Sequence, residues 1–274
     1  MVKFKKITLL FPAAFVVLGF FLGGLILSAA NSLPSPTYAR MFADPEVRAA
    51  FVFTLSLTAL ATALSALCGT ATALLLHNLA RGSYILRTFL QIPLSMPHLA
   101  AAFILLSLIA PSGLISRLFV SVPEDFPILV GDAFGIGILM AYVLKETPFI
   151  ATVVLATLAR TGDELDSVAK NLGASRWQRF RHVTLPIIAP ATLFSSLFVF
   201  AYVFGAFEIP YILGRQYPTV LAIVANRKFA ATDLGERPEA FAIAVAMTIV
   251  AAVLAWFFLR LGQKQGESEK PLLF

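Results

Sequence analysis

The sequence predicts an all-α, polytopic membrane protein with about six transmembrane helices, and three observations predict it. Apolar residues make up 59% of the 274 residues and charged ones only 13%, about half the charged share of a soluble domain. Apolar runs long enough to cross a bilayer, which takes roughly 20 helical residues, recur six times. Lysine and arginine are spread unevenly over the segments that join those runs. With a mean hydropathy of +0.86, the chain is expected to bury its apolar surface in lipid, as one transmembrane domain over 1–274.

The first run covers 7–30. Its basic start and its Ser28-Ala29-Ala30 end mimic a cleavable signal. Its length exceeds the roughly 7–15 residues of a signal's apolar region, so it reads as a retained first span. The second run is 49–77. The third, 88–110, contains Pro93 and Pro97 within QIPLSMPHLAAAF. A proline lacks a donor and clashes one turn back, so this helix should kink or start late. The segment PSGLISRLF behind it reads as a short interfacial piece. The remaining runs are 133–158, 184–211 and 239–261, followed by a polar tail, GQKQGESEKPLLF, that reads as flexible. With the N-terminus inside, inner segments hold 13 of the 21 lysines and arginines and outer ones hold 7. That excess favours a multi-pass inner-membrane protein with both termini cytoplasmic.

Several chemistries find no support. A net charge of +6 reads as basic flanks on a membrane and not as a nucleic-acid surface. A single cysteine, Cys68, excludes an internal disulfide and reads as a small hydrophobe in a span. His77, His98 and His182 lie far apart in sequence, without metal-ligand spacing; His77 and His182 suit helix ends. No Gly-x4-Gly-Lys-[Ser/Thr] occurs, and no lysine follows a glycine. The chain therefore has no phosphate-cradling loop, and no cofactor is expected on it.

One insert departs from the membrane pattern: residues 162–183, between the fourth and fifth spans. Leu165, Val168, Ala169 and Leu172 fall at helical spacing, with Asp163, Glu164, Asp166, Lys170 and Asn171 around them. Asp163 and Glu164 are placed to open this helix, and Gly173 to end it in a left-handed turn. Ser175 can then cap a second short helix to His182, carrying Arg176, Arg179 and Arg181 outward. Pro186 suits the first turn of the next span. The prediction is two short helices joined at a glycine on the membrane face.

These residues resemble the cytoplasmic "EAA" loop of binding-protein-dependent ABC importer permeases of the type I branch. That loop reads Glu-Ala-Ala, three residues, Gly, nine residues, Ile-x-Leu-Pro. Set on Gly173, its leading positions are Ser167, Val168 and Ala169, and its trailing ones Val183, Leu185 and Pro186. Ser167 stands where the family has glutamate, with Asp166 beside it. The resemblance implies a coupling helix that docks on a separate ATPase dimer, which would bind the ATP and Mg. Its contacts would come from Asp166–Ala169, Asn171, Gly173–Arg176, Val183, Leu185 and Pro186. It also implies a second permease subunit, identical or a sister chain, and a periplasmic binding protein. The stretches FGAFEIPYILGRQYP and NRKFAATDLGERPEA look most like permeases for polyamines, thiamine or ferric iron.

Ionisable residues inside spans are functional candidates. Lys145 and Glu146 lie mid-way along the fourth span, and adjacent helix positions do not face each other. Each therefore needs its own partner, as path lining, as a gate or as an inter-helix pair. Glu208 falls at the outer end of the fifth span, beside Pro210. Two acids suit cationic cargo, whereas Lys145 argues the other way. The rival reading, an ion-coupled secondary transporter or channel, predicts internal repeats; none is evident, and it leaves the insert without a role.

Overall fold

Caps, prolines and close helix contacts set this architecture. The computed structural model describes residues 2–33, 36–79, 84–119 and 125–267, and these form helices and connecting turns without a strand. Helix α1 (Val2–Ser32) is followed by a short α2 (Thr37–Ala43) and a long α3 (Pro45–Asn78). Asp44 caps α3 by accepting the Glu46 N–H at 2.8 Å, and Pro45 takes the first turn, where its missing N–H leaves no bond unmade. The two prolines of the third run break it. Helix α4 (Tyr84–Ser95) carries Pro93, α5 (His98–Ile109) starts directly after Pro97, and α6 (Leu114–Phe119) is a short piece behind it.

Helix α7 (Ile136–Asn171) begins after Gly135, whose φ of +71° needs no side chain in the way. Asp132 holds that entry by accepting the Phe134 and Ile136 N–H groups, each at 2.8 Å. At 36 residues α7 is far longer than the predicted fourth span, because it runs on into the insert. This corrects the expectation that Asp163 and Glu164 open a separate helix there. Between Pro148 and Gly173 only Gly162 weakens the helix, and an internal glycine costs only about 1 kcal/mol. The side chain of Asp163 lies outside the described residues.

A single turn, α8 (Arg176–Arg179), leads through a π-helical turn, Phe180–Thr184, into α9 (Leu185–Gly205). The Leu185 N–H reaches back five residues to the Phe180 carbonyl. That widened turn lies directly before Pro186, whose ring would collide with the carbonyl four residues back in a regular helix. Pro186 therefore follows a helix already under way. Helices α10 (Glu208–Leu213), α11 (Leu221–Ala230) and α12 (Arg237–Glu267) complete the chain. The predicted polar tail passes outside the described residues after residue 267.

Among the described residues, five helices or joined helix runs are long and apolar enough to cross a membrane, or six if the end of α1 and α2 make one bent span. Helices α3 and α7 pack along each other at the centre, and α9 lies against both. Ala61, Tyr142, Ile150, Val154 and Ile188 are fully or almost fully buried there. The contact depends on a small residue, as in many membrane helix pairs. A Cβ on Gly69 would lie 2.8 Å from Ile150 Cβ and 2.9 Å from the Thr147 carbonyl oxygen. Gly69→Val is thus expected to destabilise the fold by about 1–3 kcal/mol, the cost of overpacking. A lowered Tm in detergent reads this, and an unchanged Tm contradicts the close approach.

A charged cluster closes the opposite end from the insert. Lys228 of α11 bonds Asp44 Oδ2 at 2.9 Å and Glu239 Oε2 at 3.0 Å, and Arg227 pairs with Glu46. Burial alone pushes the Asp44 carboxyl up, but the Lys228 ammonium and the Glu46 N–H outweigh it and hold it below 3.8. Burial pulls the Lys228 ammonium down; Asp44 and Glu239 outweigh that and raise it above 10.5. A lowered carboxyl contributes stability above its ordinary value and loses it on acidification. A raised ammonium contributes below 10.5 and loses it as pH rises past its folded value. Thermal stability should therefore be flat between these limits and fall as pH drops below about 4. In Asp44→Asn the acid fall should shrink, and an unaltered acid fall would count against this cluster as its source.

Candidate functional site

Two regions carry the functional candidates. The first is the turn after α7. The Ala174 N–H bonds the Ala169 carbonyl and the Gly173 N–H the Lys170 carbonyl, both at 3.0 Å, with Gly173 at φ +83°. This paired closure of a helix end requires a left-handed residue, and glycine adopts that conformation without strain. Ser175 then caps α8 reciprocally: the Gln178 N–H donates to Ser175 Oγ at 3.3 Å, and the Ser175 N–H donates to Gln178 Oε1 at 2.8 Å. Arg179 of α8 reaches back to Asp166 of α7 in an ion pair that braces the two arms. His182 Nδ1 lies 3.1 Å from the Gln178 carbonyl, in keeping with a helix-end role.

The turn is rigid inside and apolar outside. Leu165, Val168, Leu172 and Trp177 are 49%, 55%, 82% and 65% exposed. Ser167, Asn171, Ser175 and Arg176 are exposed beside them, Ala169, Ala174 and Val183 half-buried, and Leu185 and Pro186 exposed at the return to the membrane. Asp166 is engaged inside the turn by Arg179, a pairing the sequence did not reveal.

The second region lies about 37 Å further along α7, at 1.5 Å per residue. Lys145 and Glu146 are both buried and take different partners. The Lys145 ammonium donates to the Pro93 carbonyl, and to the Leu94 carbonyl at 3.4 Å, both at the break between α4 and α5. Glu146 Oε1 lies 3.1 Å from His98 Nε2 on the first turn of α5. The His98 ring packs on Tyr202 of α9 with centroids 4.5 Å apart, and the Tyr202 hydroxyl donates to Glu208 Oε2 at 3.3 Å. Glu146 and Glu208 thus join one chain of polar side chains across four helices, α7, α5, α9 and α10. Sequence reasoning missed His98 and Tyr202. A histidine directly after a proline break inside an apolar run was the available signal, because such a residue is costly in lipid unless partnered.

No group of three or more histidine, cysteine, aspartate or glutamate side chains among the described residues could hold a metal ion. The described helices thus form a bundle of membrane-type helices, one run of them broken beside buried charges, with an apolar face on the turn between α7 and α8. Comparison with known proteins makes this specific. Residues 61–265 match the binding-protein-dependent transport system inner membrane component family, and the chain belongs to it.

The chain is 29% identical over 243 residues to the inner membrane ABC transporter permease protein YnjC of Escherichia coli, covering 85% of this chain but 46% of that protein. It thus spans about half the length of that relative. The trehalose transport system permease protein SugA of Mycobacterium tuberculosis is 30% identical over 77% of this chain and 69% of its own length. The sulfate transport system permease protein CysT of Escherichia coli is 27% identical over 81% and 78%. Among solved structures, a bacterial alginate ABC transporter, crystallised with an alginate pentasaccharide-bound periplasmic protein, superposes with a TM-score of 0.78 at 18% identity, over 96% of this chain and 94% of that one. The MetNI methionine ABC transporter superposes at 0.60 with 16% identity, over 80% and 95%. These similarities show the permease fold in an inner-membrane, multi-pass chain. They lend nothing to a polyamine, thiamine or ferric-iron branch.

Proposed function

We propose that this chain is the permease subunit of an ATP-driven ABC importer, providing half of the path for a small solute. One observation carries the reading: Leu165, Val168, Leu172 and Trp177 stand exposed around a turn whose Leu172, Gly173 and Ala174 N–H groups are all bonded back to α7. An apolar face on a preformed element supports docking with little ordering cost. The occupant would be one subunit of an ATPase dimer that binds ATP and Mg, with a second permease subunit completing the path and a periplasmic binding protein outside. Both termini would be cytoplasmic, on the side of this turn. Rigid-body movement of the ATPase would reach the membrane through α7 and α9, which enter the turn without a flexible joint.

The half-exposed face of His98, Tyr202 and Glu208 would line the path, because polar groups left facing lipid are costly. The cargo is proposed as a small polar solute selected by the binding protein. Reconstitution in proteoliposomes tests the whole: uptake should need the ATPase and ATP. Cysteines placed at Leu172 should crosslink to the ATPase. Uptake that persists without the ATPase, driven by an ion gradient, would establish the secondary-transporter reading instead.

A further inference from the structure

The polar chain inside the membrane also bears on what the path carries, an inference that rests on the permease reading. Glu146 and Glu208 come from α7 and α10 and are joined through His98 and Tyr202. The neighbouring lysine does not neutralise them by bonding, since its ammonium is held by the Pro93 and Leu94 carbonyls at the helix break. The chain itself thus sets two carboxylates against one imidazole, with the Lys145 ammonium in electrostatic range of Glu146 alone among the two acids.

Tyr142 adds an independent observation. It is fully buried, and its hydroxyl has no hydrogen-bond partner among the described residues. It precedes Glu146 by four positions, so the two side chains share one face of α7, and Glu146, Glu208 and Tyr202 are its electrostatic neighbours. A buried hydroxyl without a partner is a standing cost, removed when a donor or acceptor arrives. We propose that the Glu146–His98–Tyr202–Glu208 chain, with the Tyr142 hydroxyl, is a station for a positively charged group of the cargo, an ammonium or a guanidinium. The carboxylates supply the countercharge and the Tyr142 oxygen accepts one hydrogen bond from it. An anion would meet two like charges here, and a neutral sugar would bring them no countercharge.

The transporter assembled with its ATPase and binding protein is treated with dicyclohexylcarbodiimide, and modification of Glu146 and Glu208 is followed by mass spectrometry. Probes are putrescine, arginine, choline and thiamine as cations, trehalose as a neutral solute and sulfate as an anion. At least one cation should slow labelling of Glu146 about tenfold at about ten times its Kd. Tyr142→Phe should raise the required concentration roughly two- to tenfold, the worth of one hydrogen bond. Protection by trehalose or sulfate, or by none of the cations, overturns the station. ATP-dependent uptake of trehalose or sulfate would remove the cationic station and leave the permease reading standing. Uptake indifferent to the ATPase would remove the permease reading itself.

Discussion

Replacing Gly173 with valine is expected to abolish most transport while the protein still inserts and folds. A side chain there has room: nothing lies within 4 Å of a Cβ at this position. The obstacle is backbone conformation, since φ is +83° and a left-handed residue other than glycine costs about 1–2 kcal/mol, more when β-branched. The hydrogen bonds of Ala174 and Gly173 to Ala169 and Lys170 depend on that conformation. Losing it tilts α8 against α7 and shrinks the fraction of turns in docking geometry roughly 5- to 30-fold. ATP-driven uptake in proteoliposomes should fall by a similar factor, with expression and Tm little changed. Gly173→Asn is the control, because asparagine visits the left-handed region with little strain and should keep most of the activity. Equal loss in both variants would point to surface chemistry and away from backbone geometry.

Lys145→Met should produce the largest loss of stability. Its ammonium is the side-chain donor bonded to the Pro93 and Leu94 carbonyls at the α4–α5 break, where Pro97 has no N–H for the Pro93 carbonyl and the Met96 N–H reaches it at 3.4 Å. Inside a bilayer no water replaces it, so a carbonyl left without a donor costs about 1–3 kcal/mol. For a chain of this size each kcal/mol corresponds to about 2–4 °C in Tm. A fall of several degrees in detergent or nanodiscs is expected, with partial recovery in Lys145→Arg, which keeps donors at the same place. A Tm equal to that of the unaltered protein would sink the bracing role and return Lys145 to the path.

The insert was legible in outline because its signals are local. Gly173 at a left-handed turn and Ser175 at a cap follow from the side chains at those positions and their immediate backbone. The helix boundary at Asp163 was misread for the same reason. Acidic residues favour a helix start without compelling one, and the run from Pro148 to Asn171 contains nothing that ends a helix. The ion pair of Asp166 with Arg179 spans 13 residues and exists only once the Gly173 turn has folded the arms together.

In the membrane the division is sharper. That Lys145 and Glu146 must look to different partners follows from the 100° between neighbouring helix positions, which any α-helix imposes. Which partners they find depends on where α4, α5, α9 and α10 come to rest, and those placements join residues 48 and 52 positions apart. Composition and the 20-residue apolar runs determined an all-helical membrane chain, since lipid leaves the backbone few alternatives to internal hydrogen bonding. Only tertiary packing decided that one lysine braces a broken helix while the adjacent glutamate joins a polar chain. Such pairings are set by helix contacts between distant segments, and no local pattern encodes them.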